Sequence, residues 1–190
     1  MNWKRKSYLL FAASLLILTA QVHATSMLQL DLGQLTTRAD KVFRGTVIDV
    51  EQSTVQAGGG ELPTVTYRFR VDELFKGEAT LVKGEEAMIE IRMVGSIKDA
   101  ETQGNIVHLN AFRDVPKLTM GGDYLLFSTP ESAIGLSVTV GLGQGAFKVF
   151  SQNKEDFAVN EFDNMGLGLD SSGPVKYTDL AAEIQSLLIQ

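Results

Sequence analysis

The sequence contains no cysteine among its 190 residues. That absence removes disulfide staples, thiol nucleophiles, redox motifs and thiolate zinc sites together, and it leaves stability to packing alone. Histidine is nearly as scarce, with only His23 and His108 present. Basic charge is also short: 17 Lys and Arg stand against 23 Asp and Glu, for a formal net charge of −6. Such a surface lacks the clustered cations that replace counterions on nucleic acid, and it disfavours adsorption to anionic lipid. Beyond the amino-terminal apolar run no second stretch is long enough to cross a membrane, and no internal repeat or low-complexity segment stands out.

What is present begins with an address. Lys4, Arg5 and Lys6 precede the apolar run "YLLFAASLLILTA", followed by "QVHATS", where Val22 and Ala24 satisfy the small-residue rule of signal peptidase. The run from Tyr8 to Ala20 is 13 residues, short of the ~20 that a spanning helix needs. Residues 1–24 are therefore expected to be a Sec-type signal peptide cleaved after Ala24, giving a secreted or periplasmic product with no stable membrane anchor. Cleavage takes three basic residues with it and moves the formal charge from −6 to −9. It also takes His23, so a multi-histidine metal site is excluded in the product. Residues 25–190 fit a single domain.

The pattern after the signal is mainly β, with a helix near each end. "LQLDLGQLTTRAD" offers Asp31 as an N-cap with Leu32, Leu35 and Ala39 at helical spacing. In "KVFRGTVIDVEQ", Arg44, Thr46, Ile48 and Val50 alternate against Phe43, Gly45, Val47 and Asp49. In "TVTYRFRVDELF", Val65, Tyr67, Phe69 and Val71 form a core face, while Thr66, Arg68, Arg70 and Asp72 form a wet one. The glycine-rich "STVQAGGGELPT" between these runs reads as a mobile hairpin tip rather than a domain linker. "AMIEIRMV" places Ile89, Ile91 and Met93 inward, and "NIVHLNAF", "DYLLFS", "GLSVTV", "GAFKVF" and "DFAVNEF" are further strand candidates. Short strands broken at this rate indicate a barrel or a sandwich. The tail "TDLAAEIQSLLIQ", with Thr178 as its cap and Leu180, Ile184, Leu187 and Leu188 on one face, predicts an amphipathic helix packed on the β-structure.

Few residues offer chemistry. "VGLGQGAFKVF" has glycines at 141, 143 and 145, yet a phosphate loop needs a helix N-terminus after its glycines, and "AFKVF" is a strand pattern. The glycines instead predict positive φ or tight packing, with Phe147 and Val149 facing the core. His108 with a carboxylate is a candidate hydrolase pair without a supporting triad spacing. Carboxylates such as Glu85, Glu86, Glu90, Asp99 and Glu101 are too numerous for any pair to be distinctive. "NEFDNMGLGLDSSG" sets Glu161, Asp163, Asn164 and Asp170 among glycines but fails the alternate-ligand pattern of a calcium loop, so an ordinary turn is expected. The serines lack a G-x-S-x-G elbow. No catalytic residue, metal or cofactor is assigned.

The run "RADKVFRGTVIDVEQ", the later "TYRFRVDELFKGE" and the "GGDYLLFS" after a long connection resemble, in order and spacing, the inhibitory domain of the tissue inhibitors of metalloproteinases and the wider netrin-like modules. The likeness covers Ala39 to Ser128 and implies an OB-like Greek-key β-barrel with flanking helices. Those inhibitors chelate a protease zinc through an amino-terminal cysteine held by disulfides, which this chain lacks. Cleavage after Ala24 leaves the amine of Thr25, followed by Ser26, with the chelating backbone atoms but without that rigidity. Inhibition would then rest on the loop of Gly58, Gly59 and Gly60 and on the barrel edge. The chain is also similar to a group of uncharacterised exported bacterial proteins sharing a signal peptide, "AD-V--G-V", "FKG", "G--YLLF" and a late "GL-QG-F".

The reading that follows is a non-enzymatic exported module binding an extracytoplasmic protein, a secreted metalloprotease being one such partner. A small anionic ligand held by Arg44, Arg68 and Arg70 at a barrel mouth is the alternative, and a hydrolase using His108 is the third.

Overall fold

The computed structural model describes residues 28–82, 86–96, 115–169 and 172–189. The expected signal peptide, Thr25, Ser26, the "NIVHLNAF" segment with His108, and Glu85, Asp99, Glu101 and Asp170 lie outside them. Helix α1 spans Leu32–Arg38. Strands β1 (Lys41–Ala57), β2 (Gly60–Lys76), β3 (Thr80–Val82), β4 (Glu86–Val94) and β5 (Asp123–Ser128) follow. Strands β6 (Ala146–Gln152), β7 (Glu155–Asn160) and β8 (Val175–Lys176) lead into helix α2 (Tyr177–Ile189). The eight strands among the described residues form one antiparallel sheet in the order β3-β4-β2-β1-β5-β6-β7-β8.

The local signals explain most of these elements. The Asp31 carboxylate accepts from the Gln34 N–H at 2.7 Å, and the Gln34 side chain accepts from the Asp31 N–H at 3.1 Å, closing a capping box on α1. α2 buries Tyr177, Leu180, Ala181 and Ile184. It begins at Tyr177, so Thr178 sits inside the first turn rather than at the cap. "GLSVTV" is not a strand: apart from a single bridge between Ser128 and Thr139 it is irregular, though Thr129 N–H donates to Val138 O and Val140 N–H to Phe127 O at 2.8 and 2.7 Å.

The sheet is buried on both sides because successive side chains point to opposite faces. Val42, Leu125, Phe127, Phe147, Val149 and Ala158 meet α1 and α2 on one face. Phe43, Val47, Tyr67, Phe69, Ile91, Met93 and Leu126 form a second cluster on the other. Three bulges bend the β1–β2 hairpin around this second cluster, with pairing shifts at Val42/Phe43, Arg44/Gly45 and Val47/Asp49. The last leaves Ile48 without a cross-strand partner on β2 and reverses the alternation after it. Val50 therefore packs with Phe43 and Val47, not on the face of Arg44 and Thr46. The outward face of β2 is also less wet than its pattern implies, since Thr64 and Thr66 are buried.

Candidate functional site

Two places gather the residues singled out by sequence: a row of charges on the helix-covered face, and the far end of the β1–β2 hairpin. The charge row is made by the pleat. Arg44 follows Phe43, so it points to the face opposite the Phe43 cluster, where Asp123 on β5 and Asp156 on β7 point as well. Its Nε donates to both Asp123 oxygens at 3.2 and 3.1 Å, and its Nη2 to Asp123 and Asp156 at 2.6 and 2.7 Å. The guanidinium carbon lies 4.3 Å from the centroid of the Tyr177 ring, a cation–π contact at the first residue of α2. The Tyr177 hydroxyl in turn donates to Glu73 at 2.6 Å, and Ser151 donates to Asp156.

The electrostatics follow from this packing. Burial works against the Arg44 charge, but the hydrogen bonds and charges of Asp123 and Asp156 outweigh it and hold the guanidinium above its usual value. Asp156 is held below the usual aspartate value by the Ser151 hydroxyl first and the Arg44 guanidinium second. Burial, then the Glu73 hydrogen bond and charge, push the Tyr177 hydroxyl up, against the smaller influence of Arg44. The cluster ties β1, β2, β5, β7 and α2 together.

Arg44, Arg68 and Arg70 are each engaged by side chains of the chain. Arg68 donates to Asp49 at 2.5 Å and to Glu90 at 3.4 Å. Arg70 lies 3.7 Å from Asp72 and donates to Thr46 at 3.4 Å. Each arginine is thus matched by a carboxylate of the chain, which lowers the positive potential on offer to an anion.

The glycine motif resolves into a 3₁₀ turn, Leu142–Gly145, feeding β6. Gly141 has φ +63°, and a Cβ on Gly145 would press against the Val140 carbonyl oxygen. Phe147 and Val149 are buried as the alternation predicts. The turn's function was not visible in its glycines but lies in Gln144, which is buried. Its Oε1 accepts from the Leu30 N–H at 2.8 Å and its Nε2 donates to Leu28 O at 2.9 Å, clamping the chain where it enters α1. Asn160 Nδ2 donates to Gln144 O at 3.1 Å. In the acidic loop that follows, Asn164 Nδ2 donates to Ala158 O and Gly173 O at 2.9 and 2.8 Å, so its amide shapes a turn.

The hairpin end is built differently. Pairing of β1 with β5 stops at Thr46 and that of β2 with β4 at Thr64, with one further bond from Gly95 N–H to Pro63 O, so from Val55/Leu62 outward the ladder is two strands wide among the described residues. Gly58 and Gly59, at φ +58° and +81°, make the two-residue turn, a conformation that nearly demands glycine at both places. Gly58, Gly59 and Gly60 are exposed. Between Arg44 and Arg68 the sequence has no basic residue, while Glu51 and Glu61 lie on the arm. Compared with protein-family models and with curated proteins, the chain matches none.

Proposed function

We propose that the chain is an exported, non-enzymatic module that recognises an extracytoplasmic protein through the β1–β2 arm. The observation that carries this reading is the arm itself: a two-stranded extension whose residues 51–54 and 56 and 58–61 are exposed, capped by three glycines and without a basic residue. A two-stranded ribbon gains little stability alone, so a 17-residue pair of strands extending past its neighbours is better explained by contact with something else.

In this reading the body is OB-like. β4, β2, β1 and β5 are consecutive in the sheet, and the 136–140 segment bonds to β5 on one side. On its other side Ser137 N–H donates to Arg92 O of β4 at 2.8 Å, which supports closure into a barrel around the Phe43 cluster. The signal-like residues 1–24 support delivery to the periplasm or the medium. A secreted metalloprotease fits the netrin-like and inhibitor-like resemblance, with Thr25 and Ser26 at the start of the cleaved chain and the Gln144 clamp fixing the segment that follows them.

The test is a shortened arm. Replacing residues 54–63 by Asn-Gly keeps the Ser53/Thr64 pair and closes the hairpin with a matching turn. Exported wild-type protein should cross-link to an extracytoplasmic protein, and the shortened variant, folded, should lose that product. Equal capture by both would overturn the arm as the recognition element.

A further inference from the structure

We infer that the arm binds its partner by strand addition along the outer edge of β1, accepting an extended, neutral or basic segment of the partner at Thr54 and Gln56. The inference rests on the protein-recognition reading and specifies its mode.

The register decides which backbone groups are left over. In an antiparallel pair, residues alternate between those whose N–H and C=O face the partner strand and those whose groups face away. Pro63 has no N–H, and its carbonyl accepts from Gly95 N–H at 3.0 Å on the side of β2 remote from β1. Pro63 therefore faces away from β1, and so does the residue opposite it, Thr54. The pairing runs without a shift from Asp49/Arg68 to Ala57/Gly60, so the same parity holds at Gln56, opposite Glu61. The N–H and C=O of Thr54 and Gln56 point away from β2, two residues apart, which is the repeat an added strand matches; the Ser53 hydroxyl donates to Thr54 O at 3.5 Å, a long bond that an incoming N–H would replace.

The two edges of the arm are not equivalent. On the β2 side Pro63 removes a donor and its carbonyl is already engaged. The β1 side from Gln52 to Gly60 has no proline and no charged residue. Natural sheets protect open edges with proline, lysine, inward charges or bulges, and the bulge in β1 lies further down at Ile48. An unguarded edge of Ser, Thr, Val and Gln is suited to backbone pairing, in which main-chain bonds give affinity and alternate side chains give selectivity.

The partner's character follows from charge. The arm has no basic residue and carries Glu51 at its base and Glu61 near its tip, and the chain carries −6 overall, so a second copy or an acidic segment is repelled. A neutral or basic strand from another protein meets no such repulsion.

A fluorescein-labelled octapeptide, Lys-Thr-Val-Thr-Val-Thr-Val-Lys, titrated with exported wild-type protein tests this by anisotropy. Binding should fall about tenfold or more when alternate peptide nitrogens are N-methylated on the pairing side, when Glu replaces both Lys, and in the Thr54→Pro protein. Proline at 54 removes an outward N–H and leaves the β1–β2 ladder bonds in place. Gln56→Pro serves as a second variant should the first misfold, and amide shifts confined to residues 53–57 on peptide addition locate the site. Failure of the octapeptide to bind, equal binding by the N-methylated peptide, or unaltered binding by folded Thr54→Pro protein overturns strand addition. So does concentration-dependent dimerisation through this edge. Strand addition and recognition by the arm fail separately: a partner captured equally by wild type and Thr54→Pro, yet lost on shortening the arm, refutes only the former.

Discussion

On the helix-covered face the charged side chains answer one another: Arg44 is shared by Asp123 and Asp156, Tyr177 stacks on Arg44 and donates to Glu73, and Ser151 donates to Asp156. At the end of the β1–β2 arm the Thr54 and Gln56 N–H groups are turned away from β2, and the Thr54 carbonyl has only the long 3.5 Å bond from the Ser53 hydroxyl. The same strand supplies both regions, Arg44 at one end and Thr54 at the other. Polarity alone therefore does not mark a site. Polar groups used up within the chain hold elements together, and groups left over are available to a partner.

Substitutions at the two ends should therefore break different properties. The largest effect is expected from Phe147→Ala, beneath both helices, which should cost about 3–5 kcal/mol in denaturant unfolding through lost burial and a cavity. Arg44→Ala should cost about 2–3 kcal/mol, because it strips charge-assisted bonds from two partly buried aspartates. Arg44→Lys should recover only part of this, since an ammonium cannot reproduce the forked contact. If Arg44→Ala left stability unaltered but abolished partner capture, the division between the two regions would fail.

The charge cluster also sets the pH limits of folding. Asp156 has a folded value below its unfolded 3.8, so its contribution is present above that value and is lost as pH falls beneath it. Tyr177 is shifted the other way, above its unfolded 10.0, so its contribution is present below pH 10 and is lost as pH rises further. Urea midpoints measured against pH should decline at both extremes. The acid decline should shrink in Asp156→Asn and the alkaline decline in Tyr177→Phe. The smallest stability effect belongs to the arm: Thr54→Val should change unfolding by less than about 0.5 kcal/mol while leaving the outward N–H, and hence capture, intact.

Much of this arrangement was legible in the sequence because it is local. Asp31 ahead of Leu32, Leu35 and Ala39 at helical spacing announced a cap, the alternation of Ile89, Ile91 and Met93 announced β4, and three successive glycines between two alternating runs announced a hairpin. What escaped is non-local. Gln144 binds chain 114 residues away, and Arg44 meets carboxylates 79 and 112 residues away. With many acidic residues on offer, composition cannot say which two share an arginine. The register shift at Ile48 likewise shows only in the pairing with β2, and it moves Val50 to the face the alternation had denied it.

Amide hydrogen exchange across the arm of the free protein reports whether the outer edge of β1 is open. Ser53 and Val55, whose N–H groups face β2, should be protected, while Thr54 and Gln56 should exchange close to the rate of open chain, giving an alternating pattern. Uniform protection from 53 to 56 would mean that the outer edge of β1 is already satisfied within the chain, and would contradict the account.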